Sequence, residues 1–377
     1  MIFFGIVSIS GDTVVVGAPD AIVGPNSLQG AIYVFVKPPS GWGNMTQTAK
    51  LTASDGAVAD ELGKSVAISG NTVIAGAPLA TVRGNPRMGA AYVFVKPANG
   101  WTNENEVAKL THTYQQFNQY FGSSVAICGG TAVISASNST SVFVKPPGGW
   151  ASVTETADLN FGAGGLPAPV SISGDTVVVG DFLTDVGHHQ AQGSARVFVR
   201  PKRGWGHIAK TADLTASDGR AGDLFGSALA ISGNTIVIGS IDNPAGRNNL
   251  GPGAAYVFVK PATGWKNMTE TAKLTAAGTK RGIRFGGAVA LSGRNVVIGE
   301  QPFIYPKEPG AVYLYTEPPG GWKSTSKFDA QLTASDGTKK DYFGSSVAIS
   351  GKTIVAGARS ASVNGHRQQG AAYVFGR

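Results

Sequence analysis

The chain spells one apolar hairpin seven times. "VAISGNTVIAGAP" at 66–78 reads as two short strands joined at Gly70-Asn71, and it returns as "VSISGDTVVVGAP" at 7–19 and "LAISGNTIVIGS" at 229–240. Aligned on the turn glycine, the copies sit at Gly11, Gly70, Gly129, Gly174, Gly233, Gly293 and Gly351, at intervals of 59, 59, 45, 59, 60 and 58 residues. A period this regular marks one supersecondary unit repeated along the chain. Trp42, Trp101, Trp150, Trp205, Trp265 and Trp322 keep the same phase, each after a Pro-rich turn such as "KPPSGW", and are expected to pack the outer strand of their own unit.

Four apolar runs fill one unit, as in residues 62–120: "GKSVAIS", "TVIAGAP", "GAAYVFVK" and a stretch from Trp101 to "VAKLTH". Each alternates with period two, is rich in Val, Ile, Tyr and Phe, and is bounded by Gly, Pro, Asn or Asp, which reads as strand rather than helix. The 53 glycines, 20 prolines and 14% charged residues agree with short strands and tight turns. A small four-stranded antiparallel sheet has two apolar faces that it cannot bury alone, whereas seven stacked around an axis bury both. The predicted fold is all-β, a seven-bladed β-propeller forming a single domain over 1–377. Its blades start near 4, 62, 121, 166, 225, 285 and 343, and the last lacks an outer strand.

Phe121-Gly122, Phe225-Gly226, Phe285-Gly286 and Phe343-Gly344 precede the first strand of their units, while Gly17-Ala18-Pro19 and Gly76-Ala77-Pro78 close the second. This pairing resembles the FG-GAP repeat of the integrin α-subunit propeller and its relatives. The resemblance implies an extracellular or cell-surface protein, and in that family a calcium loop often joins the first two strands. Here those turns hold at most one carboxylate, Asp12 or Asp175, whereas calcium takes about six to eight oxygens, so no metal or cofactor is expected there. A second acidic pattern, "SDGxxxD", places Asp55 with Asp60, Asp218 with Asp223 and Asp336 with Asp341. It reads either as a cation site shared between blades or as a turn aspartate followed by a capping one, and the second reading is preferred.

The net charge of +8 is spread over few charged residues, with no basic patch dense enough for nucleic acid. No apolar stretch approaches the roughly 18 residues of a membrane span. The opening "MIFFGIVSISGD" lacks the basic segment and cleavage site of a signal peptide. The lone cysteine, Cys128, stands where sibling copies carry serine and reads as a buried thiol filling a serine's space.

The connections between second and third strands, about 18–30, 77–89, 181–193, 240–253, 300–310 and 358–370, differ in sequence from copy to copy, and variable loops on a repeated scaffold are where binding resides. On these connections and on those leading from the fourth strand into the next unit, at the same end of the propeller, Arg83, Arg87, His188, His189, Arg247, Arg284, Arg359, His366 and Arg367 are the predicted ligand-binding residues. Arginine forks of this kind suit an acidic glycan or protein surface. The 45-residue interval is shortened only in the loops of that same end, which predicts a notch beside the third blade. No GxSxG or HExxH motif occurs, so no enzyme is expected, with His188, Asp185 and Arg196 the nearest catalytic candidates. The leading expectation is a non-enzymatic extracellular recognition or adhesion module. A surface-layer or filament building block and a polysaccharide-active propeller are the alternatives. The open edge of the seventh blade is expected to accept another strand, from a longer native polypeptide or by self-association. Sequons stand at Asn44, Asn138 and Asn267.

Overall fold

The computed structural model describes residues 7–113, 118–159, 165–241, 251–278, 283–302, 309–365 and 368–376. The fold is a seven-bladed β-propeller of antiparallel sheets, with a single 3-10 turn at Trp205–His207 among the described residues. The chain divides into two compact units, residues 1–174 with 200–209 and residues 175–199 with 210–377. The first unit holds sheets one to three and the strand Val170–Ser173. The second holds Thr176–Asp181, Ser194–Val199 and Lys210–Thr215 of the fourth repeat, and sheets five to seven.

The second sheet shows the pattern. Ser65–Ser69, Thr72–Ala77, Ala90–Val95 and Ala108–Leu110 pair in that order, with Ser69 opposite Thr72, Thr72 opposite Val95 and Ala91 opposite Leu110. The turn glycine takes the left-handed φ (56° at Gly70), whereas Asn71 does not. The outer strand is shorter than the sequence predicts. Between Trp101 and Ala108 the chain instead reaches back to the preceding sheet, where Glu104–Asn105 pairs in parallel with Ala49–Thr52. In the second unit Met268–Thr269 lies in the same way on Lys210–Thr215.

The core lies between successive sheets. Trp101 packs with Ala49 and Leu51 of sheet one as well as Phe94 of its own sheet, and Trp265 does the same with Ala212, Leu214 and Phe258. These two indoles are therefore wedges between neighbours rather than covers for their own outer strands. Phe121, Phe225, Phe285 and Phe343 are fully buried, each with an edge-on or tilted aromatic partner such as Phe143 or Tyr256. Burying one such ring contributes about 1.5–3 kcal/mol. The two halves of the repeat motif also meet across sheets. A Cβ on Gly76 would stand 1.8 Å from the carbonyl oxygen of Gly122, and one on Gly239 would stand 1.9 Å from that of Gly286. Only glycine lets the backbones approach this closely.

Candidate functional site

The acidic "SDGxxxD" pattern is structural. The second aspartate closes its own loop: the Asp60 carboxylate accepts from the Ala57 amide at 2.8 Å, Asp223 from Arg220 at 2.7 Å and Asp341 from Thr338 at 2.7 Å. The first aspartate braces the next sheet. Tyr92 donates its hydroxyl to Asp55 at 2.9 Å and Lys109 donates to the other oxygen at 2.6 Å, and Tyr256 and Lys273 hold Asp218 at 3.0 and 2.6 Å. Partial burial pushes the Asp55 and Asp218 carboxyls up, yet the lysine and tyrosine donors outweigh it and hold both below the usual range. Burial, reinforced by the neighbouring carboxylates, raises the Tyr92 and Tyr256 phenols far out of the physiological range.

Where the sequence loses this trio, other residues replace it. At the second-to-third sheet junction the charges swap places, with His112 Nε2 3.1 Å from Asp158 and 3.8 Å from Glu155. In the fourth repeat Arg196 occupies the tyrosine position and bonds Asp181 at 3.3 Å, with Asp213 at 4.0 Å. In the sixth, Glu300 accepts from the Tyr313 hydroxyl. Burial raises the Asp181 carboxyl, opposed by donors from Thr184 and Arg196.

These contacts settle where the catalytic candidates fall. Arg196 is tied into the brace, the Asp185 carboxylate accepts from the Ala191 amide at 2.8 Å within its own loop, and His188 is exposed at the loop tip. His189 Nδ1 lies 2.9 Å from Gln192 Oε1, and the His189 backbone pairs with Val186. The same turn forms at Val23 with Asn26 and at Val82 with Asn85. Three of the loops that differ in sequence therefore share one closed conformation. Arg83 and Arg87 sit on that turn in the second sheet, both exposed and both left-handed (φ 50° and 55°). The shortened third-repeat loop is a tight turn, with the Ala136 amide donating to the Ser139 carbonyl at 2.8 Å. Cys128 is half-buried rather than fully buried, and its Sγ accepts from the Gly174 amide at 3.3 Å, as Ser10 and Ser69 accept from Gly70 and Gly129. Asn267 is used as an acceptor for the Asp213 amide at 2.8 Å, while Asn44 and Asn138 are exposed. Arg247, His366 and Arg367 lie outside the described residues. Among the described residues no group of three or more His, Cys, Asp or Glu side chains is arranged to hold a metal, and no helix is long and apolar enough to cross a membrane.

Of the nine residues singled out from sequence, the structure brings two together in the second unit. Arg284 stands in the first strand of the sixth sheet, Ile283–Ser292, and Arg359 directly follows the second strand of the seventh, Thr353–Ala358. The first strands of these two sheets lie side by side. The Arg359 guanidinium lies 4.3 Å from the centroid of the Tyr342 ring, a cation–π geometry. Burial and then the nearby Arg359 charge lower the Arg284 guanidinium to about 10, and burial lowers Arg359 against the raising effect of Tyr342. Two half-buried cations close enough for one to depress the other concentrate positive charge in one place, a setting suited to an oxyanion.

Sequence reasoning missed Tyr342. Its signal was the repeat alignment: Glu61, Tyr120, Leu224 and Tyr342 all precede the first-strand Phe-Gly or Leu-Gly pair with φ between 52° and 57°, and Arg284 takes the same place in the sixth copy. Residues at that position stand at the end of a first strand, beside the connection that follows the second.

A family model described as FG-GAP repeat matches residues 45–94, 208–258, 268–315 and 327–375, which is more than half of the chain. The chain belongs to the FG-GAP repeat family. No curated protein matches this FG-GAP chain. Among solved structures it is similar to the periplasmic gluconolactonase PpgL of Pseudomonas aeruginosa, at 15% identity with a TM-score of 0.53, covering 88% of this chain and 86% of that one. That likeness is one of fold.

It nevertheless corrects the functional expectation. The sequence reading took the missing catalytic motifs as grounds for a non-enzymatic adhesion module, but a propeller matching this chain over most of its length is a gluconolactonase. Catalysis on a propeller draws on side chains gathered from separate blades, so the absence of short motifs in any one blade does not exclude an enzyme.

Proposed function

We propose that this FG-GAP propeller is an extracytoplasmic protein acting on a small molecule that bears a carboxylate or phosphate, with Arg284 and Arg359 as the anchor for that group. The supporting observation is that Arg284, lowered to about 10 by burial and then by the Arg359 charge, stands near Arg359, whose guanidinium lies over the Tyr342 ring. An oxyanion between them relieves the like-charge repulsion and gains paired, charge-assisted hydrogen bonds. The same positive field stabilises the negative oxygen that develops when an ester or lactone opens. The gluconolactonase relative by fold and the FG-GAP repeats favour a location outside the cytoplasm.

Calorimetric titration of the full chain with gluconate, citrate and inorganic phosphate tests the anchor, and a pH-indicator assay with δ-gluconolactone tests turnover. Saturable binding of at least one anion, lost in Arg359→Ala and weakened in Arg284→Lys, is the expected result. Failure of the wild-type protein to bind any of the three overturns the reading.

A further inference from the structure

Exposed apolar side chains gather at one end of the first sheet. Ile22 and Val58 are the two most exposed large hydrophobic residues among the described ones, at 67% and 57%, and Leu28 is 42% exposed. Ile22 and Leu28 flank the closed Val23–Asn26 turn between the second and third strands, and Val58 lies in the connection to the second sheet. The two connections are tied together, because the Asn26 side chain donates to the Gly56 carbonyl and the Ala59 amide to the Ser27 carbonyl, both at 3.0 Å. The three side chains therefore belong to one fixed surface, where Pro25 is exposed as well. The repeat does not require this. Thr81 and Arg87 hold the places of Ile22 and Leu28 in the second copy, and Asp185, Ala191 and Ala221 those of Ile22, Leu28 and Val58 in the fourth.

Cations border the patch. Lys50 Nζ donates to the Ile22 carbonyl at 3.4 Å. Arg83 and Arg87 are exposed on the equivalent turn of the second sheet, which closes in the same way between Val82 and Asn85. The Arg87 carbonyl accepts from the Tyr120 amide as the Leu28 carbonyl accepts from the Glu61 amide, so both turns stand at the same end of their sheets. Of the described carboxylates in these connections, Asp60 is buried, Asp55 and Glu61 are paired with Lys109 and Lys64, and Asp20 is exposed. Positive charge therefore prevails around the apolar tip. A second copy seated on the patch would bring like charges together. An anionic bilayer meets both features, since aliphatic tips enter the headgroup layer while basic side chains meet lipid phosphates.

We propose that this end of the first two sheets docks on the surface of a lipid bilayer that carries anionic headgroups. Ile22, Leu28 and Val58 enter the interface, and Lys50, Arg83 and Arg87 hold the phosphates.

The test is co-sedimentation of the full chain with phosphatidylcholine vesicles, with and without phosphatidylglycerol. Binding to the anionic vesicles is expected, stronger than to the neutral ones and weakened by added salt. The double variant Ile22→Asp, Val58→Asp and the double variant Arg83→Ala, Arg87→Ala are each expected to bind about tenfold more weakly. All four side chains are exposed, so both variants keep the near-ultraviolet circular dichroism of the wild type. Failure of the wild-type protein to bind anionic vesicles, or binding indifferent to the Ile22 and Val58 changes, overturns the proposal. Ultracentrifugation showing a wild-type dimer that the same double variant dissolves also overturns it, since the patch then covers a second copy.

Discussion

Replacing Arg284 by Gln separates a ligand anchor from a structural arginine, because the two roles predict opposite signs. The guanidinium falls well below its usual range, to about 10, which at face value is about 3 kcal/mol in favour of the neutral form. The group is partly exposed, and solvent screening reduces this to about 1 kcal/mol. A base whose folded value lies below its unfolded one carries a penalty that is fully present below the folded value, and that is relieved as pH rises toward the unfolded one. At neutral pH Arg284→Gln therefore stabilises the empty protein by about 1 kcal/mol, or about 1 °C in the unfolding midpoint for a chain this long. Citrate or phosphate at about one hundred times its dissociation constant stabilises the wild-type protein by about 2.7 kcal/mol, roughly 3 °C, and leaves the variant near its empty midpoint. Thermal melts followed by near-ultraviolet circular dichroism of the buried tryptophans, with and without anion, measure both. A variant that melts lower than wild type, or that keeps the full response to anion, refutes the argument.

Other substitutions probe the scaffold. Gly76→Ala drives a methyl group to 1.8 Å from the Gly122 carbonyl oxygen and is expected to cost more than about 4 kcal/mol, whereas Gly11→Ala has open space, strains only its left-handed φ and costs about 1 kcal/mol; denaturant titration of both tests the backbone contact. The Asp55 and Asp218 carboxyls are depressed, so the stability they add is present above the ordinary 3.8 and is lost as pH falls through their folded values. The double variant Asp55→Asn, Asp218→Asn is expected to lose about 1 kcal/mol at pH 7 and to show a shallower decline in acid, and an acid limb parallel to wild type contradicts the brace. Cys128→Ser keeps the acceptor for the Gly174 amide and is expected to change stability by less than about 0.5 kcal/mol in urea denaturation.

How much was legible in the sequence follows the range over which the physics acts. Strand identity, the hairpin turns, the repeat period and the paired Phe-Gly and Gly-Ala-Pro signals are set by side-chain alternation and glycine placement within a few residues, and they give the propeller directly. The outer strand was misjudged because nothing local marks where the chain between Trp101 and Ala108 leaves its own sheet for the previous one. Likewise the aspartate of "SDG" is ambiguous in sequence, since its tyrosine and lysine partners arrive from the next repeat, 37 and 54 residues away.

The loop cations show the division most sharply. By sequence Arg83, Arg87, Arg284 and Arg359 are equals, four guanidinium groups on variable connections. Tertiary structure leaves Arg83 and Arg87 in solvent, lays Arg359 over Tyr342 and brings Arg284 within reach of the Arg359 charge. Repetition within the chain determined the scaffold, because each hairpin needs like neighbours to bury its faces. Which charges oppose one another was decided by the stacking of separate repeats, since Coulomb repulsion and desolvation depend on distance in space and not on separation along the chain.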